Sequence, residues 1–156
     1  MIRTLQCILT TAVILTLAQG ASAGDKNGPI AEINIRVIYA VKDKVKSVAP
    51  ELEDIKGELE ELPFSKFRLL DKLEARVAEK STVELQFPGK RAIAVTFRGL
   101  RTSMGKKMIS LQLSIKPALK IRLRVADGGR TLLLGPSHLD GNLILDVSAK
   151  LEEKKK

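Results

Sequence analysis

Apolar and polar residues alternate with a period of two along most of this chain, which places successive side chains on opposite faces of extended strands. The pattern is cleanest from Lys107 to Gly135. Ile109, Leu111, Leu113 and Ile115 share one face there, and after a Lys116-Pro117-Ala118 break Leu119, Ile121, Leu123 and Val125 repeat it. Asp127-Gly128-Gly129 then supplies the positive-φ residues of a tight hairpin turn. Upstream, Ile33, Ile35, Val37 and Tyr39 predict a strand ending near Val41. Residues 64–80 fit two readings. Phe67, Leu69, Leu73, Ala75 and Val77 describe a strand from Lys66 to Ala78 with Asp71 out of pattern, whereas Phe67, Leu70, Glu74 and Val77 are spaced for a helix. The strand is preferred because everything downstream is strand-like. Val83, Leu85 and Phe87 mark the next strand, Pro88-Gly89-Lys90 a turn, and Ile93, Val95 and Phe97 another strand. Arg98 to Gly105 and Gly135 to Asn142 read as glycine-bearing loops, and Leu143, Leu145 and Val147 as the last strand.

One stretch has a different period. Pro50 suits the first turn of a helix, where no N–H is needed, and Leu52, Ile55, Leu59 and Leu62 follow at i, i+3, i+7 and i+10. This predicts one amphipathic helix over Pro50–Leu62, ended by Pro63. Successive strands joined by short turns pair antiparallel. The predicted fold is therefore α+β, an antiparallel β-meander of about seven to eight strands with one packed helix.

Composition changes where the domain is expected to begin. Arg3, the apolar run from Leu5 to Ala18 and the small residues Ala21-Ser22-Ala23 have the order of a secretory signal peptide, residues 1–23. About 14 apolar residues fall short of the ~20 needed for a spanning helix. The expected organisation is a signal peptide over 1–23, a flexible segment over 24–31, one α+β domain over 32–149 and a charged, disordered tail over 150–156. The mature chain would be exported, periplasmic or extracellular, with no transmembrane segment. Its single cysteine, Cys7, falls within the signal peptide, so the mature chain has no thiol for a disulfide, a zinc site or a nucleophile.

Charge is unevenly spread. The chain holds 27 basic and 18 acidic residues, and Arg3 is the only charged residue before Gly24, which leaves a mature net charge of about +8. Glu51 to Glu61 is acidic apart from Lys56, whereas Gln86 to Ala126 contains ten bases and no acid.

Candidate chemistry is sparse. His138, the only histidine, shares a loop with Ser137 and Asp140, but a working triad assembles its members from distant segments. The helix pairs Glu51/Asp54 and Asp54/Glu58 lie on a polar face where both carboxylates are expected to stay solvated and ionised. No calcium-loop spacing occurs, and Gly99–Lys107 has the wrong spacing for a phosphate-binding P-loop. These observations predict no enzyme, no catalytic residue, no metal and no cofactor.

What remains is a basic row. Lys120, Arg122 and Arg124 alternate with the apolar set of their strand and so project from one face, with Arg98, Arg101, Lys106, Lys107 and Lys116 expected at neighbouring strand ends. Such a face suits an anionic partner: a lipid headgroup, an acidic glycan or an acidic protein. It also fits an ordinary solvated sheet face, or one neutralised by the acidic helix packed near it. With no tryptophan, one tyrosine and four phenylalanines, the aromatic platforms used for single-stranded nucleic acid and sugars are scarce, which argues against those partners. The alternative is a structural partner that pairs through an exposed strand edge. A hydrolase using His138 is the third and least favoured reading.

Leu59–Leu70 (LEELPFSKFRLL), the Phe87-Pro88-Gly89-Lys90 turn and Asp127–Leu145 (DGGRTLLLGPSHLDGNLIL) together resemble a family of short exported bacterial β-rich proteins with no assigned function. The resemblance implies a bacterial source and a periplasmic or secreted β-rich domain. It supplies no functional residue.

Overall fold

The computed structural model describes residues 28–117 and 119–152, so the signal-peptide reading of residues 1–23 lies outside the described residues. β1 (Ile30–Val41), β2 (Ser47–Val48), β3 (Lys66–Ala78), β8 (Gly129–His138) and β9 (Gly141–Leu151) form a five-stranded sheet in the order β2-β3-β1-β9-β8. β4 (Thr82–Phe87), β5 (Arg91–Ser103), β6 (Lys106–Ile115) and β7 (Leu119–Ala126) form a four-stranded sheet in chain order. A 3-10 helix, Pro50–Ile55, continues as α1, Lys56–Glu60. The fold is β-rich α+β. Among the described residues no helix is long and apolar enough to cross a membrane.

The sheets stack through the faces that the period-two pattern makes apolar. Ile33, Ile35 and Val37 of β1 and Leu143, Leu145 and Val147 of β9 meet Val95 and Phe97 of β5 and the odd-numbered positions Ile109 to Ile115 of β6 in one buried core. The outer face of the five-stranded sheet is buried only at one end. There Ile38, Ala40, Phe67 and Ile144 pack under Leu52, Ile55 and Leu59 of the helical segment. Runs such as Val37-Ile38-Tyr39-Ala40 are apolar on both faces because both are covered at that end.

A bulge in β3 explains why residues 64–80 fit two readings. Val37 lies opposite Asp71 but Ile38 opposite Leu69, so Leu70 is an extra residue. One extra residue reverses which positions face inward. Phe67 and Leu69 therefore face the helix, while Leu73, Ala75 and Val77 pack with the core between the sheets. The strand runs Lys66–Ala78 as the alternation predicts.

Other boundaries are corrected. The meander is confined to β4–β7. Asp127-Gly128 is not a hairpin turn, because β7 pairs with β6 while β8 pairs with β9, and the chain crosses there from one sheet to the other. The corner is tied down by main chain: the Gly128 N–H donates to the Ala149 carbonyl at 2.9 Å, and the Asp127 carboxylate accepts from the Leu151 N–H at 2.8 Å. Arg98 to Ser103 is strand, not loop, and Gly135 to His138 belongs to β8. β1 opens at Ile30, inside the segment expected to be flexible. β9 runs on to Leu151, and Lys150 pairs with Glu32 rather than opening a free tail.

Candidate functional site

The outer face of the four-stranded sheet carries the basic row, and a second bulge organises it. Phe97 pairs with the inward Leu111 and Leu100 with the inward Ile109, so two inward positions of β5 lie three residues apart with Arg98 extra. In a regular strand Arg98 and Arg101 would point to opposite faces; the bulge puts both on the outer side. They line one groove of about 720 Å³ together with Arg122 and Arg124 of β7. β6 lies between them and contributes the small Ser110, which pairs with Arg124. Arginines thus stand on two sides of a low floor. Arg122 and Arg124 are spaced roughly 7 Å along β7, and β5 and β7 lie about 9.5 Å apart.

The bulge depends on Gly99. Its φ of +139° is one that residues with a Cβ rarely adopt, and a Cβ there would stand 2.9 Å from a Glu79 carboxylate oxygen. Glu79 is the one acid lining the groove. Gly99→Ala is expected to lower stability by about 1–3 kcal/mol, chiefly through backbone strain, as read from urea unfolding.

All four arginines are exposed, and none makes a salt bridge among the described residues. Arg98 donates only a long 3.3 Å hydrogen bond to Gln112. The other basic candidates separate. Lys120 continues the β7 row opposite Ser114, and Lys106 lies on the same face opposite Ser103. Lys107 falls on the opposite face by the two-residue period. Lys116, in the turn after β6, lies roughly 33 Å along the strand from Lys106. The eight residues are therefore not one cluster, and strand position decides which belong together.

Neutralisation by the helix does not occur. The helical segment covers the far sheet, and two of its acids, Asp54 and Glu58, meet arginines there. Arg36 of β1 makes two parallel bonds to Asp54, both 2.9 Å, and its Nε donates to Asp146 at 2.7 Å. Arg130 of β8 adds a 2.9 Å bond to Asp54 and reaches Glu58 at 3.5 Å. Asp54 is thus held between two arginines while its side chain stays half exposed. The hydrogen bond from Arg36 is the largest cause of its pKa falling from 3.8 to about 2, and Arg130 adds to it. A carboxylate with a depressed folded pKa stabilises fully above its unfolded value and loses that contribution as pH falls through the folded one. Stability should therefore decline as pH drops from about 4 toward 2, and urea unfolding of Asp54→Asn should show a shallower decline.

The His138 neighbourhood is arranged for packing. Asp140 accepts from the Tyr39 hydroxyl, a bond that lowers the Asp140 pKa and raises that of Tyr39. The His138 ring meets the Tyr39 ring edge-on at 6.0 Å. The Asp140 carboxylate is thus taken by a tyrosine, and Ser137, adjacent to His138 on the same strand, points to the other face. No group of three or more metal-ligating acids or histidines occurs among the described residues.

The sequence reading groups Arg98 and Arg101 with the β7 row but takes them for loop residues at a strand end; the bulged strand that puts both on the outer face is what it missed. The signal was present: an apolar residue three positions after Phe97, with a glycine between, is the spacing of a bulge rather than a loop. No protein-family model matches this chain, and no curated protein and no solved structure matches it.

Proposed function

We propose that this chain is a non-enzymatic, exported binding module of the bacterial cell envelope that holds a polyanionic partner on the outer face of its four-stranded sheet. One observation carries the reading: four arginines from two non-adjacent strands line one open groove, and among the described residues none of them makes a salt bridge. Guanidinium groups stay charged at every physiological pH and bind phosphate or carboxylate oxygens in pairs. The helical segment lies on the other sheet, where Asp54 and Glu58 pair with arginines, and Glu79 is the one acid lining the groove. Export and the bacterial source rest on the signal-like residues 1–23 and on the family resemblance. Calorimetric titration with tripolyphosphate tests the reading. Binding should weaken steeply as salt rises, because the site is exposed and screened; absence of binding, or an affinity indifferent to salt, would overturn it.

A second reading, strand-edge pairing, has one observation in its favour. β7 is eight residues long, keeps an unbroken register with β6, and has no neighbour on its other side among the described residues. Edge pairing uses main-chain groups. It would survive reversal of the Arg122 and Arg124 charges, whereas groove binding would not.

A further inference from the structure

The β5–β6 hairpin extends past the core. Every residue from Leu100 to Lys107 is exposed, so its tip stands roughly 15 Å beyond the last buried pairs. Ser103 pairs with Lys106 across a two-residue turn, and both central residues have positive φ: Met104 at +50° and Gly105 at +74°. This is the type I′ geometry, whose first position is favourable for asparagine, aspartate or glycine. Here it holds methionine, 99 % exposed. The chain thus keeps a flexible apolar side chain at a position that disfavours it, touching nothing of its own. Around it stand Arg101, Lys106 and Lys107, with the arginine groove behind on the same sheet.

We infer that this hairpin tip docks on an anionic lipid surface, Met104 entering the boundary between headgroups and acyl chains while the flanking bases and the groove arginines lie on phosphate headgroups. The inference rests on the anion-binding reading of the groove and names its partner. An apolar tip ringed by cations is the arrangement that adds burial in lipid to attraction by a negative surface. A soluble glycan has no need of the methionine's exposed placement. The charges facing this surface are almost uniformly positive. Residues 86–126 contain no acid. The nearby carboxylates are Glu79 in the groove, Glu84 on β4 at the far edge of the sheet, and Asp127, whose side chain is bonded to the Leu151 N–H.

Met104→Asn separates the docking role from a structural one. Asparagine tolerates positive φ better than methionine, so the variant should have an unchanged or higher Tm. Co-flotation of the chain with mixed phosphatidylcholine–phosphatidylglycerol vesicles, read as the excess over pure phosphatidylcholine so that charge-independent binding is subtracted, should fall about tenfold in this variant. Tripolyphosphate affinity should stay within about twofold, since the groove is intact. Leu139→Ser is the control. Leu139 is also at positive φ and 81 % exposed, but it sits beside Asp140 at the opposite end of the sheets, and its loss should leave flotation unchanged. Wild-type flotation by Met104→Asn, or loss of flotation in Leu139→Ser instead, would overturn the inference. A wild-type chain that binds tripolyphosphate but shows no preference for anionic vesicles would overturn the lipid partner and leave the anion site standing. Binding to neither would overturn both.

Discussion

Arg36→Met is expected to lower the unfolding free energy by about 3–5 kcal/mol, among the largest single-residue effects in this protein. Asp146 is 3 % exposed, and its Oδ1 has no partner within the protein. Its other oxygen depends on Arg36, directly opposite it in the β1–β9 ladder. Without the guanidinium a buried carboxylate is left uncompensated and Asp54 loses its paired bonds. Most of the loss should be recovered in Arg36→Met/Asp146→Leu, because replacing both members of a buried ion pair by apolar groups is far milder than removing one. Asp54→Asn should cost much less, since that side chain is 53 % exposed and its pairs are screened. Urea denaturation of the variants compares these outcomes directly. Equal losses for Arg36→Met and the double variant would show that the arginine acts through packing rather than charge.

Arg122→Glu/Arg124→Glu is expected to weaken tripolyphosphate binding by at least about a hundredfold while leaving stability within about 0.5 kcal/mol of wild type. Both side chains are exposed, unpaired among the described residues, and on the open face of an edge strand, so reversing them removes no internal contact. Two controls follow from the strand positions. Lys116→Glu, at the far end of β6, and Lys107→Glu, on the opposite face, each reverse one charge outside the groove and should change affinity by no more than about twofold at physiological salt. If all four positions matter equally, the protein attracts anions through net charge alone and the groove has no special role.

The legible and the illegible parts of the fold divide along a physical line. Alternation marks a strand wherever one face is buried throughout, which is why Thr82–Phe87 and the long run through β6 and β7 are plain in the sequence. It fails where an extra residue reverses the faces. Leu70 makes β3 look half helical, and Arg98 makes the end of β5 look like a loop. It also fails where both faces are covered, as at Leu132 and Leu133 of β8, which pack against different cores on opposite faces. Which strands are neighbours is a longer-range question. Asp127-Gly128 has the residues of a hairpin turn and serves instead as the corner between two sheets, held by bonds to Ala149 and Leu151 that no local pattern announces. The helical segment shows its buried residues by spacing, yet its first six residues are 3-10, where Leu52 and Ile55 stack at the three-residue period. As for the site, the β7 row is readable from alternation alone. Its completion by Arg98 and Arg101 depends on the bulge. The Arg36–Asp146 pair, joined across 110 residues, leaves no trace in either segment.

The most direct test of the account is to locate the bound anion. Nuclear magnetic resonance of the labelled chain, titrated with tripolyphosphate, reads both the amide and the arginine Nε–H signals. The groove predicts saturable shifts in the Nε–H signals of Arg98, Arg101, Arg122 and Arg124 and in the amides around Gly99 and Ser110, with Arg36, held by Asp146 and Asp54, and Arg130, held by Asp54, unmoved. Shifts spread evenly over the lysines, or centred on the sheet that carries the helical segment, would contradict it.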